Sequence, residues 1–119
     1  MLTIYHNPNC SKSRGALQLV QQFSSAHNEP LHVVEYLKTP LTRPQLLALQ
    51  QQLNVPLRDM VRDTQPEYES MALANATDDA LLDALVKCPR LLQRPVVERN
   101  GRALIARPPE DLANWLEQG

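Results

Sequence analysis

Cys10 is the residue of this chain whose type and surroundings best suit nucleophilic chemistry. It lies in residues 6–14, HNPNCSKSR, a turn between a predicted strand and a predicted helix. At the start of a helix, unpaired backbone N–H groups and the positive end of the dipole favour an anion, and neighbouring Lys12 and Arg14 add positive charge. The pattern therefore predicts a thiolate beside donors that could bind a small oxyanion. The alternative is a small buried thiol with no chemistry.

Other residues of the turn, and a second cysteine, bear on how such a thiolate would work. His6 could hold a proton or a hydrogen bond that favours the thiolate, or it could be an ordinary solvated turn residue. Cys10 and Ser13 form a C-x-x-S pattern, so no disulfide can close within the motif. A redox cycle would then need an external thiol, or Cys88 after a movement. Cys88 itself ends a leucine-rich segment, and we expect it to be a structural or surface thiol.

The composition excludes several classes of partner. The chain has 119 residues with a formal net charge of −1, which argues against a nucleic-acid groove or a binding surface for anionic membranes. It contains no apolar run of transmembrane length and no signal-peptide pattern, so we expect a cytoplasmic protein with reduced cysteines. The scattered histidines predict no metal site. The basic residues comprise nine arginines and three lysines, and arginine suits forked recognition of oxyanions.

The elements that must position Cys10 begin with a strand, a helix and a second strand. These are predicted over residues 2–5, 11–27 and 31–36, which makes a parallel, right-handed βαβ unit. Thr42 and Gln45 have the spacing of a capping box for a helix ending near Leu53. Further helical segments are predicted over residues 56–60, 66–73 and 77–86, with Thr77 as an N-cap.

A hairpin and a last helix complete the predicted chain. Residues 95–105 predict the hairpin, with Asn100-Gly101 at its turn, and Pro108-Pro109 predict the start of the helix. We therefore expect one domain over residues 1–119, of the α/β class. The element order is that of a thioredoxin-like three-layer fold with a mixed sheet of about four strands and a helical insertion.

Four segments of the chain together resemble one protein family. They are residues 4–10 with Ser13-Arg14, residues 36–40, Arg62 followed by Glu67-Tyr68, and residues 94–97 with Arg107-Pro108. In this order they resemble the glutaredoxin-coupled arsenate reductase (ArsC) family, and the short chain is most similar to the family's YfgD-type branch. Residues 11 and 12, Ser-Lys, depart from the small uncharged residues that are typical of arsenate reductases at these positions.

The resemblance implies roles for individual residues. Cys10 matches the nucleophile and His6 the histidine that favours its thiolate, while an arginine triad matches Arg62, Arg94 and Arg107. Supporting roles around the oxyanion are implied for Asn7, Ser13, Arg14 and a cis-proline, Pro95. Without the resemblance, each arginine of the triad could equally be an ordinary surface residue.

The activity implied by the resemblance is reduction of arsenate, or a similar oxyanion, to arsenite. Glutathione is then the co-substrate and glutaredoxin the partner, and the protein is expected to be a monomer without bound cofactor or metal. Two alternatives remain open from the residues. One is a thioredoxin-fold regulatory or adaptor protein, against which Ser13 weighs because such regulators commonly carry C-x-x-C. The other is a general monothiol oxidoreductase acting on glutathione mixed disulfides.

Overall fold

A computed structural model describes residues 1–106 and 109–118, and for residues 109 and 110 it describes the backbone only. The chain divides into two units. One comprises Met1–Tyr36 together with the segment that begins at Arg94, and the other comprises Leu37–Gln93.

A four-stranded mixed sheet forms the centre of the first unit. Its strands are β1 (Leu2–Tyr5), β2 (Leu31–Val34), β3 (Val96–Arg99) and β4 (Arg102–Ile105), in the order β2-β1-β3-β4. β1 runs parallel to β2 and antiparallel to β3, and β3 pairs with β4 in the antiparallel sense. The helix α1 (Ser11–His27) connects the two parallel strands, as the predicted βαβ unit requires.

The hairpin turn between β3 and β4 follows from its two residues. Asn100 and Gly101 both have positive φ, 53° and 78°. Two-residue hairpin loops of this kind need positive φ at both positions, which asparagine and glycine adopt most readily. The predicted hairpin is therefore confirmed together with its turn.

The core of the first unit lies between the sheet and two helices, α1 and α5 (Pro109–Glu117). Alternate residues of β1 are buried, because successive side chains of a strand point to opposite faces. They pack with residues of α1 spaced one helical turn apart. The buried members are Leu2, Ile4, Ala16, Val20, Val97, Ala106, Leu112 and Leu116. Full burial of one such leucine or isoleucine stabilises the fold by about 1.5–3 kcal/mol.

The second unit is built from helices and short turns. It contains α2 (Arg43–Leu53), α3 (Pro66–Ser70) and α4 (Asp78–Lys87), with 3-10 turns over Leu57–Met60, Leu73–Asn75 and Pro89–Leu91. Both halves of the predicted capping box at the start of α2 are present, and the Thr77 hydroxyl accepts the Ala80 N–H, as an N-cap does. The buried residues are mostly leucines, including Leu46, Leu49, Leu57, Leu73, Leu81 and Leu91.

Two predicted elements end earlier than their sequence patterns indicate. β2 stops at Val34 rather than at residue 36, because β1, its only parallel partner, stops opposite it at Tyr5. The helix predicted over residues 66–73 ends at Ser70, and Ala72 adopts a left-handed conformation with φ 53°. The left-handed Ala72 separates α3 from the 3-10 turn over Leu73–Asn75, where the Leu73 carbonyl accepts the Ala76 N–H at 3.2 Å and the Arg58 guanidinium at 2.9 Å.

Candidate active site at the start of helix α1

The turn that carries Cys10 is shaped by its asparagine and proline residues. Asn7 Oδ1 accepts the Asn9 N–H at 3.0 Å, and the Asn7 carbonyl accepts the Cys10 N–H at 3.1 Å. Asparagine favours such turns because its short side chain hydrogen-bonds to the backbone two residues on. Cys10 itself is the N-cap residue of α1, with extended φ and ψ, and its carbonyl accepts the Arg14 N–H. The sequence prediction that places the sulfur at a helix N-terminus is confirmed.

The environment of Cys10 favours its ionised form. Burial by itself would raise the pKa of Cys10, but the nearby backbone N–H groups of Ser13 and Lys12 and the positive charge of Arg94 lower it, and the net pKa lies below the usual value. The first turn of α1 contains no acidic residue. These donors hold a negative charge on sulfur in the way that helix N-termini hold anions.

His6 and Ser13 form a buried pair beneath this turn. His6 is 5% exposed and Ser13 is fully buried. His6 Nδ1 lies 2.9 Å from Ser13 Oγ, which also accepts the Asn7 N–H at 3.0 Å. Burial lowers the pKa of His6 and the charge of Arg14 lowers it further, whereas the charge of Glu35 and a hydrogen bond at Ser13 act in the opposite direction; the net pKa lies below the usual value.

Arg94 and Pro95 stand at the entrance to β3. The Arg94-Pro95 peptide bond is cis, as the family resemblance implies for Pro95. The positive charge of the Arg94 side chain lowers the pKa of Cys10. Its Nε is buried and has no hydrogen-bond partner among the described residues. An arginine donor that is buried without a partner is costly, so this N–H beside the thiol is a candidate donor to a bound anion.

The structure locates three other arginines of the predicted site to different extents: Arg14, Arg62 and Arg107. Arg14 lies in α1 and donates to the Pro8 carbonyl at 2.9 Å, so it braces the turn of Cys10. Arg62 belongs to the second unit, where its backbone N–H donates to the Leu91 carbonyl at 2.7 Å. Arg107 lies outside the described residues. Convergence of the three triad arginines on one anion stays a prediction.

The backbone N–H of Lys12 lowers the pKa of Cys10, in agreement with the predicted effect of unpaired N–H groups at a helix start. One contribution to the site was missed by sequence reasoning. Glu35 influences His6 from the end of β2. Its position could have been found from the βαβ prediction, because Tyr5 is paired with Val34 and the residues that follow both leave the same edge of the sheet.

The strand order and the thiol at the start of the first helix define the class to which the protein belongs. A mixed four-stranded sheet with a β1-α1-β2 beginning, a thiol before α1 and a cis-proline before β3 define a thioredoxin-like protein. Within that class, the ArsC family model matches residues 5–115. The chain therefore belongs to the ArsC family.

Individual relatives agree with this assignment. The uncharacterized protein YfgD of Escherichia coli K12 is 40% identical over 112 residues, which cover 92% of this chain and 91% of YfgD. An arsenate reductase of Neisseria meningitidis serogroup B is 39% identical over 114 residues, covering 93% of this chain and 94% of that protein. The structure of an arsenate reductase from Vibrio cholerae superposes with a TM-score of 0.86 at 37% identity and covers 95% of each chain.

Within the described residues, no helix is both long and apolar enough to cross a membrane.

Proposed function

We propose that this protein reduces arsenate to arsenite, with Cys10 as the nucleophile and glutathione as the source of electrons. The observation that carries the proposal is the set of donors around the Cys10 sulfur: two backbone N–H groups and the Arg94 guanidinium, whose buried Nε has no partner among the described residues. Such donors suit both a thiolate and the oxygens of a tetrahedral anion. The relatives named arsenate reductases support arsenate as that anion.

The first step would join Cys10 to arsenic. The Cys10 thiolate attacks As(V), an As–S bond forms, and one arsenate oxygen leaves as water after it takes up protons from solvent. Negative charge on the remaining oxygens is stabilised by Arg94. The family resemblance implies the same role for Arg62 and Arg107. The backbone donors at Lys12 and Ser13 hold the thiolate before attack and the covalent adduct afterwards.

The second step would transfer two electrons from sulfur to arsenic. A glutathione thiolate attacks the Cys10 sulfur, an S–S bond forms, and the As–S electron pair stays on arsenic, which leaves as arsenite, As(III). Ser13 replaces a second cysteine in the C-x-x-S pattern, so no internal thiol of the motif can resolve the mixed disulfide. A glutaredoxin thiol would therefore release glutathione from Cys10 and restore the thiol. This cycle suits a glutathione-rich compartment such as the cytoplasm.

The test is reconstitution with purified components. We expect repeated turnover of arsenate to arsenite only when protein, glutathione and glutaredoxin are all present, and about one equivalent of arsenite per protein when glutaredoxin is left out. We also expect sulfate or phosphate to compete with arsenate. Mass spectrometry of the protein trapped without glutaredoxin should find one glutathione on Cys10. Absence of arsenite formation under these conditions would refute the proposal, as would full activity in Cys10→Ser.

A general monothiol oxidoreductase is the competing function, because a low-pKa thiol in a C-x-x-S motif also attacks glutathione mixed disulfides. A glutathionylated peptide as substrate separates the two. The arsenate reductase should turn over arsenate far faster than the peptide, and Arg94→Gln should reduce the arsenate rate much more than the peptide rate. The reverse preference favours the general oxidoreductase. A stable protein partner captured in the absence of both reactions would favour an adaptor.

A further inference from the structure

Lys12 places a positive charge at the start of the helix that presents the thiol. It is the second residue of α1, and its side chain is exposed. The N–H groups at a helix start give that end a partial positive charge, so a carboxylate is favoured there and a cation is not. The first turn of α1 contains no acidic residue that would offset the repulsion. Lys12 is therefore poorly placed for helix stability but well placed for an anion that comes from outside the helix.

The two cations of the Cys10 turn differ in whether their side chains are already engaged. The Arg14 guanidinium donates to the Pro8 carbonyl at 2.9 Å, which holds it against the turn. Among the described residues, the Lys12 ammonium has no ion-pair or hydrogen-bond partner. The side chain of Lys12 is thus available to a ligand that approaches the thiol.

The Lys12 ammonium acts at a greater distance from sulfur than the other donors of the site. The backbone N–H groups of Ser13 and Lys12 and the charge of Arg94 act on the Cys10 sulfur itself, where arsenate oxygens would be bound. Helical side chains lean towards the N-terminus, so the Lys12 stem runs towards the Cys10 end of α1. Its four carbons carry the ammonium away from the backbone into solvent. It therefore meets groups that lie farther from the sulfur than an arsenate oxygen does.

Glutathione has anionic groups of that kind. Its thiol belongs to the middle residue of a tripeptide, and each flanking residue carries a carboxylate, so both carboxylates are separated from the reacting sulfur by about one residue length. A lysine ammonium is a mobile point charge, which suits the carboxylate of a flexible peptide, whereas arginine suits planar, forked recognition of a fixed anion.

We propose that Lys12 is a specificity-determining residue, whose ammonium pairs with a carboxylate of glutathione while the glutathione thiolate attacks the Cys10 sulfur. The proposal rests on the proposed function, in which glutathione supplies the electrons. The rate of attack by glutathione should then depend on the charge at Lys12 much more than the rate of attack by a thiol that has no carboxylate.

The experiment separates attack on Cys10 from arsenate chemistry. In the Cys88→Ser background, Cys10 is first converted to its 2-pyridyl mixed disulfide. A thiolate that attacks the Cys10 sulfur forms a new S–S bond and breaks the old one, and 2-thiopyridone leaves with the electron pair and takes up a proton. The absorbance of 2-thiopyridone gives the rate. Glutathione is compared with 2-mercaptoethanol, which has no carboxylate, at the same pH.

We expect Lys12→Gln to slow the reaction with glutathione by about threefold and Lys12→Glu to slow it by about tenfold, because an exposed ion pair is weak and a reversed charge repels. The rates with 2-mercaptoethanol should change by less than about twofold, and high salt should remove the difference between the two thiols. The matched control is Lys87→Gln, which removes an exposed lysine from the last turn of α4 and should leave both rates unchanged.

Thermal unfolding shows whether a slower reaction comes from damage to the fold. Lys12→Glu puts a negative charge at a helix start, where the dipole favours it, so its Tm should be no lower than that of the parent. The proposal is wrong if Lys12→Gln slows both thiols equally, if it does not slow glutathione, or if Lys87→Gln slows glutathione as much. Selective loss of the glutathione reaction in Lys12→Gln, in a protein that reduces no arsenate, would refute the proposed function and leave this role of Lys12 standing.

Discussion

The two cysteines lie at opposite ends of helices, and their environments act on the thiol in opposite directions. Cys10 precedes α1, where backbone N–H groups and Arg94 lower its pKa. Cys88 follows α4, where its own N–H is already bonded to the Ala84 carbonyl. The Cys88 Sγ lies 3.4 Å from Glu67 Oε2, and burial together with this carboxylate raises its pKa, although Arg90 opposes the effect.

The difference teaches what makes one thiol a nucleophile in this fold. A helix presents donors at its start and acceptors at its end, so the same side chain is stabilised as a thiolate at one end and as a thiol at the other. Glu67 strengthens the contrast. Its side chain is 16% exposed and also binds Arg90, so Cys88 is the proton donor to an ionised acid. Four predictions test this contrast, each with a smaller expected effect than the one before.

Removal of each sulfur should have very different consequences. We expect Cys10→Ser to lower arsenate reduction by roughly a thousandfold or more, because the nucleophile is lost. Cys88→Ser should retain a rate close to that of the parent protein. Arsenite formation under saturating glutathione and glutaredoxin is the measurement. Comparable losses in both variants would show that the contrast between the thiols does not govern activity.

Loss of the arginine at Cys10 should weaken the thiolate. We expect Arg94→Gln to raise the Cys10 pKa and to slow alkylation at pH 7 by up to about tenfold, since below the pKa each unit of increase reduces the thiolate fraction tenfold. The lowered pKa of the parent keeps Cys10 ionised at every pH above that pKa. The slower alkylation of Arg94→Gln should therefore disappear at a pH high enough to ionise Cys10 in the variant as well. The matched control is Arg102→Gln, which removes an exposed arginine that stacks on Trp115. If the pH midpoint of Cys10 alkylation is unchanged in Arg94→Gln, Arg94 does not stabilise the thiolate.

Removal of the carboxylate beside Cys88 should make the pKa values of the two cysteines more alike, because the pKa of Cys88 falls. We expect Glu67→Gln to lower the Cys88 pKa, because the negative charge that retains the proton is removed while Arg90 stays. Alkylation of Cys88 at pH 8 should accelerate by about fivefold, with burial still holding the pKa up. Peptide mass spectrometry follows both cysteines in one sample. Glu69→Gln, an exposed position on the same helix α3, should leave Cys88 unchanged; equal acceleration by both would point to general loss of negative charge.

The smallest effect separates the backbone of Lys12 from its side chain. Lys12→Pro removes a backbone N–H that lowers the pKa of Cys10, and proline is tolerated in the first turn of a helix, as Pro44 is in α2. We expect alkylation of Cys10 at pH 7 to slow by about threefold, because the Ser13 N–H and Arg94 remain. Lys12→Gln keeps the N–H, so its effect should be under about twofold and should vanish in 1 M salt. If the two variants behave alike, the side-chain charge matters rather than the backbone donor.

Much of the fold could be predicted because the signals are local. Helix α1 begins after Cys10 and ends at His27 as expected, the capping box places the start of α2, and Asn100-Gly101 places the hairpin turn. The sequence patterns failed where a distant residue intervenes. The end of β2 depends on where its neighbour β1 stops, and the 3-10 turn that follows α3 is held by Arg58, whose guanidinium bonds the Leu73 carbonyl from 15 residues away in the chain.

The sequence alone predicted some residues of the candidate site but not others. Cys10 and its place at a helix N-terminus follow from the turn residues alone. The role of Arg94 came from the family resemblance, and its effect on the pKa of Cys10 joins residues far apart in the sequence. Arg99 likewise has partners far away in the sequence, and nothing in the sequence distinguishes it from the other eight arginines. It forms a forked pair with Glu29, at 2.9 Å from Nη2 and from Nε, and lies over the ring of Phe23.

By itself, then, the sequence determined the order of strands and helices, the turns that need asparagine or glycine, and the presence of one thiol at the start of a helix. These depend on backbone preferences and hydrogen bonds within a few residues. Tertiary structure alone decided that the charge of Arg94 acts on Cys10, that the Cys88 thiol donates to the Glu67 carboxylate, and that a buried Ser13 hydroxyl faces His6. The physical reason is that such charges and donors meet only after the core has packed, and their effect on a pKa depends on burial and on distances that no local pattern contains.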